Sequence, residues 1–195
     1  MSSDPVQGPS DVARTVADRV LAAPATLGPG RLVCIDGPAG SGKTTLAAAL
    51  QSAAMDVNVG ADVQVLHCDE LLQGWHGLPG LAATVAELLA PLAEGRTSHW
   101  TRWDWIADGW AESHPVEPGG LLVLEGVGSW SPGIADLVGV LVWVEADAHL
   151  RLSRGMTRDG ESMRGHWLQW QLDEARLHAS LRTRDHADLV MTTDS

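Results

Sequence analysis

The sequence contains no phenylalanine and no tyrosine, one asparagine, three isoleucines and a single lysine in 195 residues. Residues with AT-rich codons are the scarce ones, whereas tryptophan, with a GC-rich codon, occurs nine times. We read this as the mutational pressure of a GC-rich genome, under which aromatic roles fall to tryptophan. Only two cysteines are present, Cys34 and Cys68, in separate predicted strands and without C-x-x-C spacing. That argues against a disulfide or a metal site and suits buried, reduced thiols in a cytoplasmic protein. Basic residues are few as well, 13 against 25 acidic ones, for a net charge of −12. Nucleic-acid affinity rests on clustered Lys and Arg neutralising phosphates, so a nucleic-acid partner is not expected. The longest apolar stretch, 137–144, is far too short to span a membrane, and 1–10 lacks the basic region and apolar core of a signal peptide. What remains is a soluble single domain over 1–195, long enough for a full core.

The stretch Leu32-Val33-Cys34-Ile35-Asp36-Gly37-Pro38-Ala39-Gly40-Ser41-Gly42-Lys43-Thr44-Thr45 organises the chain. It is a short apolar run, a glycine-rich loop and a helix-forming segment, and it holds G-x-x-x-x-G-K-[ST] in the strand-to-helix context that the motif requires. The glycines let the backbone curl so that several N–H groups share one concavity. The helix that follows adds the positive end of its dipole, and together they cradle a polyphosphate. On this reading Gly37, Ala39, Gly40, Ser41, Gly42, Lys43, Thr44 and Thr45 bind ATP, with Lys43 on the β and γ phosphates and Thr44 on Mg²⁺. Composition supports it, because the chain uses Arg twelve times and Lys once. The lone Lys43 stands where a compact, flexible ammonium is needed and a planar fork would not fit.

Along the chain, Ser10 is expected to cap a helix over 11–22, within an N-terminal segment 1–30. Strands follow at 31–36, 63–67, 121–124, 138–144 and 187–191, with helices at 43–54, 81–93, from Asp147 onward, and 162–182. Asp69 and Glu125 close the second and third strands. Functional groups gather at the carboxyl ends of strands in open α/β sheets, which places both beside the phosphate loop. The turn around Trp75 leads into the helix over 81–93. The segment 96–118, with Arg102-Trp103-Asp104-Trp105, is least like a regular α/β unit; its tryptophans either line a pocket or cover the core as a surface hairpin. Arg151, Arg154 and Arg158 share one helix face, with only Asp147 and Asp159 near in sequence to offset them. A bound anion would account for that arrangement. Gly155 and the Asp159-Gly160 turn suggest a mobile lid over 155–166.

These residues, the phosphate loop, Asp69, Trp103-Asp104-Trp105, Glu125-Gly126 and Arg154 with Arg158-Asp159, resemble in the same order the uridine kinase-like family of P-loop kinases. The resemblance implies an α/β fold with a five-stranded, mainly parallel sheet in order 2-3-1-4-5, a substrate hairpin and an arginine lid. It implies that Asp69 orients or deprotonates the acceptor hydroxyl, that Glu125 lies near Mg²⁺ and that Arg154 and Arg158 stabilise the transferring phosphoryl group. Trp103 and Asp104 would fall in the substrate pocket, with Arg102 and Trp75 alongside. The chain departs from that family in reading Glu70-Leu71-Leu72 where a Phe-Tyr pair is usual. The expectation is therefore a kinase for a small hydroxyl acceptor, a nucleoside first, with a nucleoside monophosphate, a sugar or another metabolite as alternatives. A phosphorylated acceptor would need more arginines than Arg96 and Arg102 supply in the hairpin. A nucleotide-binding switch without transfer is the competing class, and the oligomeric state, a homodimer included, is left open.

Overall fold

The computed structural model describes residues 8–56 and 62–193. Residues 1–7, within the stretch searched for a signal peptide, lie outside the described residues. Five strands, β1 (Arg31–Asp36), β2 (Val63–His67), β5 (Leu121–Glu125), β6 (Val140–Glu145) and β7 (Leu189–Thr192), form one sheet in the order β2-β5-β1-β6-β7. All four pairings in it are parallel. With the separate antiparallel hairpin of β3 (Ser98–Asp104) and β4 (Gly109–Val116) set aside, this is the expected 2-3-1-4-5 order.

The three inner strands, β1, β5 and β6, read as continuous apolar runs because both of their faces are covered. Along β1, Leu32 and Cys34 enter one core while Val33 and Ile35 enter the other, and β5 alternates in the same way. The second core is closed by α1 (Pro9–Ala22) and α2 (Lys43–Asp56) through Val16, Val20, Leu46 and Leu50. The first is closed by α3 (Leu81–Ala93) and by Trp170 of α5 (Arg164–Leu181). Helix α4 (Ala148–Asp159) precedes α5, and a short α6 (Thr183–His186) leads into β7. Among the described residues no helix is long and apolar enough to cross a membrane.

Several local expectations are corrected. Ser10 does not cap α1: the helix begins at Pro9 with Gly8 as N-cap and no side-chain cap, because proline's fixed φ and absent N–H suit the first helical position. Cys68 leaves the strand for a short 3-10 turn, Cys68–Leu71, although both cysteines are buried and unpaired. Asp147 does cap its helix, its Oδ1 accepting from the His149 and Leu150 amides at 2.9 and 3.4 Å. Gly155 is buried within α4, and a Cβ there would lie 2.4 Å from the Trp167 indole, so glycine makes room for Trp167.

Candidate active site

The phosphate loop runs from the end of β1 into α2 in a shape that only glycine permits at two points. Gly37 has φ +140° and Gly40 φ +77°, and a Cβ would approach Val144 O to 2.0 Å and Arg151 O to 2.7 Å, respectively. The loop's carbonyls all find donors. Lys43 Nζ donates to Gly37 O and Pro38 O at 2.9 Å each, Arg151 Nη1 to Ala39 O at 3.3 Å, Arg154 Nη1 to Gly40 O at 3.1 Å, and Thr193 Oγ1 to Ser41 O at 2.7 Å. With the carbonyls committed, amides are what the loop has left to offer. Those of Gly40, Gly42, Lys43, Thr44 and Thr45 meet no protein acceptor among the described residues, as befits a first helical turn.

The base of the loop is anchored on Asp36, fully buried at the end of β1. Its carboxylate accepts from the amides of Gly37, Gly128 and Trp130 at 2.7, 3.0 and 3.1 Å and lies 3.1 Å from His178 Nε2. A second carboxylate, Glu174 of α5, accepts from the Ala39 amide at 2.7 Å and from Arg151 Nη1 at 2.6 Å. The Ala39 residue is thus held at both its N–H and its C=O by a buried ion pair. Burial pushes the Glu174 carboxyl above its ordinary value against the pull of the Ala39 amide and Arg151. It holds the Lys43 ammonium below its own, although Glu125, Asp36, Glu174 and Asp69 oppose that shift.

Carboxylates at the ends of β2 and β5 complete the polar half. Glu125 Oε1 accepts from Thr44 Oγ1 at 2.9 Å and lies 2.5 Å from His67 Nδ1. Burial alone would raise the Glu125 carboxyl, but the His67 bond, the charge of Lys43 and the Thr44 bond outweigh it and leave it low. Its hydrogen bond with Glu125 raises His67 in turn. A hydroxyl and an ionised carboxylate in contact at a phosphate loop suit a hard cation whose remaining ligands are waters and phosphate oxygens. Asp69 is exposed to solvent at the mouth of the cleft that it lines. Protein still crowds it enough that lost solvation, and then the charge of Glu125, push its carboxyl above the usual aspartate value. No protein donor bonds that carboxylate among the described residues.

One cleft of about 560 Å³ brings together Lys43, Thr44, Asp69, Glu125, Arg154 and Arg158, with Ala39, Gly40, Gly42 and Trp75 also on its walls. Gly37 and Ser41 are buried beneath the loop, and the exposed Thr45 lies outside the lining. Arg158 is bonded to Asp159 at 2.7 and 3.0 Å and lies 5.6 Å from the Trp167 ring centroid.

The hairpin residues expected in the pocket serve the hairpin. Arg102 bonds Glu112 and Asp104, Asp104 accepts from the Ile106 and Ala107 amides at 2.9 Å to form the turn, and Trp103 is buried edge-on to Trp110. The register shift between Thr101 and Trp103 changes which side chains face inward. It is Trp105, just beyond β3, that reaches the cleft and donates from Nε1 to Asp69 O at 3.1 Å. Sequence reasoning also missed His67, Arg151, Glu174, Trp167 and Trp170 as parts of the site. The Arg ladder was the available signal for Arg151, but its counter-charge lies 23 residues away on α5.

The sheet order and its flanking helices define an α/β fold of the P-loop kinase type. No protein-family model and no curated protein sequence matches the chain. Among solved structures it is similar to a proposed fructose transport system kinase from Silicibacter sp. TM1040, at 19% identity and a TM-score of 0.67, covering 94% of this chain and 98% of the other. A proposed uridine kinase from Bacillus stearothermophilus matches at 18% identity and TM-score 0.59, covering 93% and 97%. The YGR205w protein matches at 12% and 0.53, covering 91% and 84%. At these identities the likeness is one of fold.

Proposed function

We propose that this chain is an ATP-dependent phosphotransferase that moves the γ-phosphoryl group to a hydroxyl of a small acceptor. The observation that carries this reading is Asp69. Its carboxylate, with no protein donor among the described residues, stands in the same cleft as Lys43, Thr44 and a loop whose carbonyls are turned to protein donors. Such a carboxylate is positioned to accept from an incoming hydroxyl. The kinase-type fold shared with the proposed sugar and uridine kinases supports the same reaction class.

In this mechanism the loop amides and Lys43 hold the terminal phosphates. Thr44 and Glu125 would hold Mg²⁺, which when bound neutralises charge on the phosphate oxygens. His67 keeps Glu125 ionised and oriented. Phosphoryl transfer asks mostly for positioning and charge stabilisation, so Asp69 needs only to orient the hydroxyl and take its proton as transfer proceeds. Arg158, released from Asp159, covers the transferring group, while the tryptophans around it exclude water that would otherwise hydrolyse ATP.

The test is Mg²⁺-dependent ADP release across hydroxyl acceptors for the wild type, Lys43→Ala and Asp69→Asn, with folding checked by circular dichroism. Each variant is expected to lose about 10²–10⁴-fold in turnover. Near-normal turnover by folded Asp69→Asn would remove Asp69 from the reaction.

A further inference from the structure

The cleft wall around Asp69 is short of hydrogen-bonding groups. Trp75, Trp105, Trp167 and Trp170 line it with Leu72 and Met163. Trp75 meets Trp105 and Trp170 edge-on, with ring centroids 5.4 and 5.8 Å apart, so these three indoles form one continuous wall, with the His166 ring stacked on Trp75 at 5.1 Å. Two indole N–H groups are already used. Trp105 Nε1 donates to Asp69 O at 3.1 Å, and Trp167 Nε1 to Asp159 Oδ2 at 2.9 Å. Asp159 also holds the Nε and Nη2 groups of Arg158. Among the described residues the lining contains no Asn, Gln, Ser or His side chain, and its cations, Lys43, Arg154 and Arg158, line the same cleft as the phosphate loop. Left over on the tryptophan wall, among the described residues, are the indole N–H groups of Trp75 and Trp170, which have no protein acceptor, with the Asp69 carboxylate beside them.

From this inventory we infer that the acceptor is an uncharged heteroaromatic alcohol: a flat ring with one or two hydrogen-bond-accepting atoms, its reacting hydroxyl on a short alkyl arm, and no phosphate. The inference rests on the phosphotransfer reading above and narrows it. A flat ring stacks on indole faces or meets their edges, and its ring nitrogen or carbonyl can accept from the free indole N–H groups. Its one hydroxyl goes to Asp69. A free sugar would carry several further hydroxyls to a wall that can satisfy few of them, and buried polar groups left unpaired are costly. A phosphorylated acceptor would bring further negative charge up to the carboxylates of Asp69 and Asp159, which both line the cleft. In the transfer step the acceptor oxygen bonds the γ-phosphorus as the bond to the β–γ bridging oxygen breaks. ADP leaves, and the hydroxyl proton passes to Asp69 and on to solvent.

The experiment measures Mg²⁺- and ATP-dependent ADP release with four acceptor groups: hydroxymethyl- and hydroxyethyl-substituted pyridines, pyrimidines and thiazoles; uridine; fructose; and uridine monophosphate. The best ring alcohol should exceed uridine and fructose in kcat/KM by about 100-fold or more, and the monophosphate should give nothing above background. Turnover led by uridine, fructose or the monophosphate overturns the acceptor class and keeps the phosphotransfer reading. Release with none of the four groups overturns the phosphotransfer reading itself. Trp105 is 39% exposed beyond the hairpin strand, so its removal spares the core. Trp105→Ala should raise KM for the ring alcohol about tenfold or more, with a smaller change in kcat, and Trp105→Phe, which restores a ring without the N–H, should recover most of it. An unchanged KM in Trp105→Ala overturns the role of the indole wall.

Discussion

Glu174→Ala is the substitution whose cost follows most directly from the geometry. The Glu174 side chain is 2% exposed and its partner Arg151 12%, at 2.6 Å. Truncation leaves a nearly buried guanidinium without its counter-charge and the Ala39 amide without its acceptor. Breaking a buried pair by removing one member costs about 3–5 kcal/mol. In a chain of this size each kcal/mol shifts Tm by about 2–4 °C, so the midpoint should fall by about 6–20 °C. Thermal unfolding followed by tryptophan fluorescence reads the change. Burial opposes ionisation of Glu174, so the desolvation of the two charges offsets part of their attraction. Replacing both members, Arg151→Met with Glu174→Leu, should restore several degrees relative to Glu174→Ala alone. A single-variant loss under about 1 kcal/mol, or a double variant no better than the single, would refute the clamp.

Gly155→Ala tests a second contact. In an open helix interior this change stabilises by about 0.5–1 kcal/mol, but here the new Cβ falls 2.4 Å from Trp167, so overpacking should cost about 1–3 kcal/mol instead. A variant as stable as wild type in urea unfolding would mean that Trp167 yields freely. The pH profile tests Asp69. Burial and then Glu125 raise its carboxyl and the working form is the carboxylate, so kcat/KM should fall as pH drops through a value above that of an ordinary aspartate. An acid limb at or below the ordinary value would contradict the proposed environment.

Where the sequence was legible, the signal was local. The phosphate loop follows from glycine and lysine spacing, the strands themselves from apolar runs, their order from the family resemblance, and α3 from a helical pattern between Gly80 and Gly95 that Pro91 does not break. What sequence reasoning missed was set by contacts between distant segments. Nothing near Gly155 in the sequence announces that Trp167 needs the space its missing Cβ leaves. Arg151 reads as an uncompensated charge until α5 brings Glu174 to it. Trp103 and Trp105 are alternating tryptophans of equal appearance, and only the register shift of the hairpin and the turn built on Asp104 decide that Trp105 reaches the cleft.

The side chains that hold the loop carbonyls also order events in folding. Arg151 bonds Ala39 across 112 residues, Arg154 bonds Gly40 across 114, and Thr193 bonds Ser41 across 152. A nascent chain that ends before α4 carries the whole motif yet has none of these three bonds. Contacts of such separation form late, because the loop entropy of bringing them together is spent before they return anything. On the phosphotransfer reading proposed above, competence to hold a phosphate would therefore arrive with the C-terminal end of the fold rather than with the motif, and an immobilised nucleotide would retain finished molecules and pass over unfinished ones.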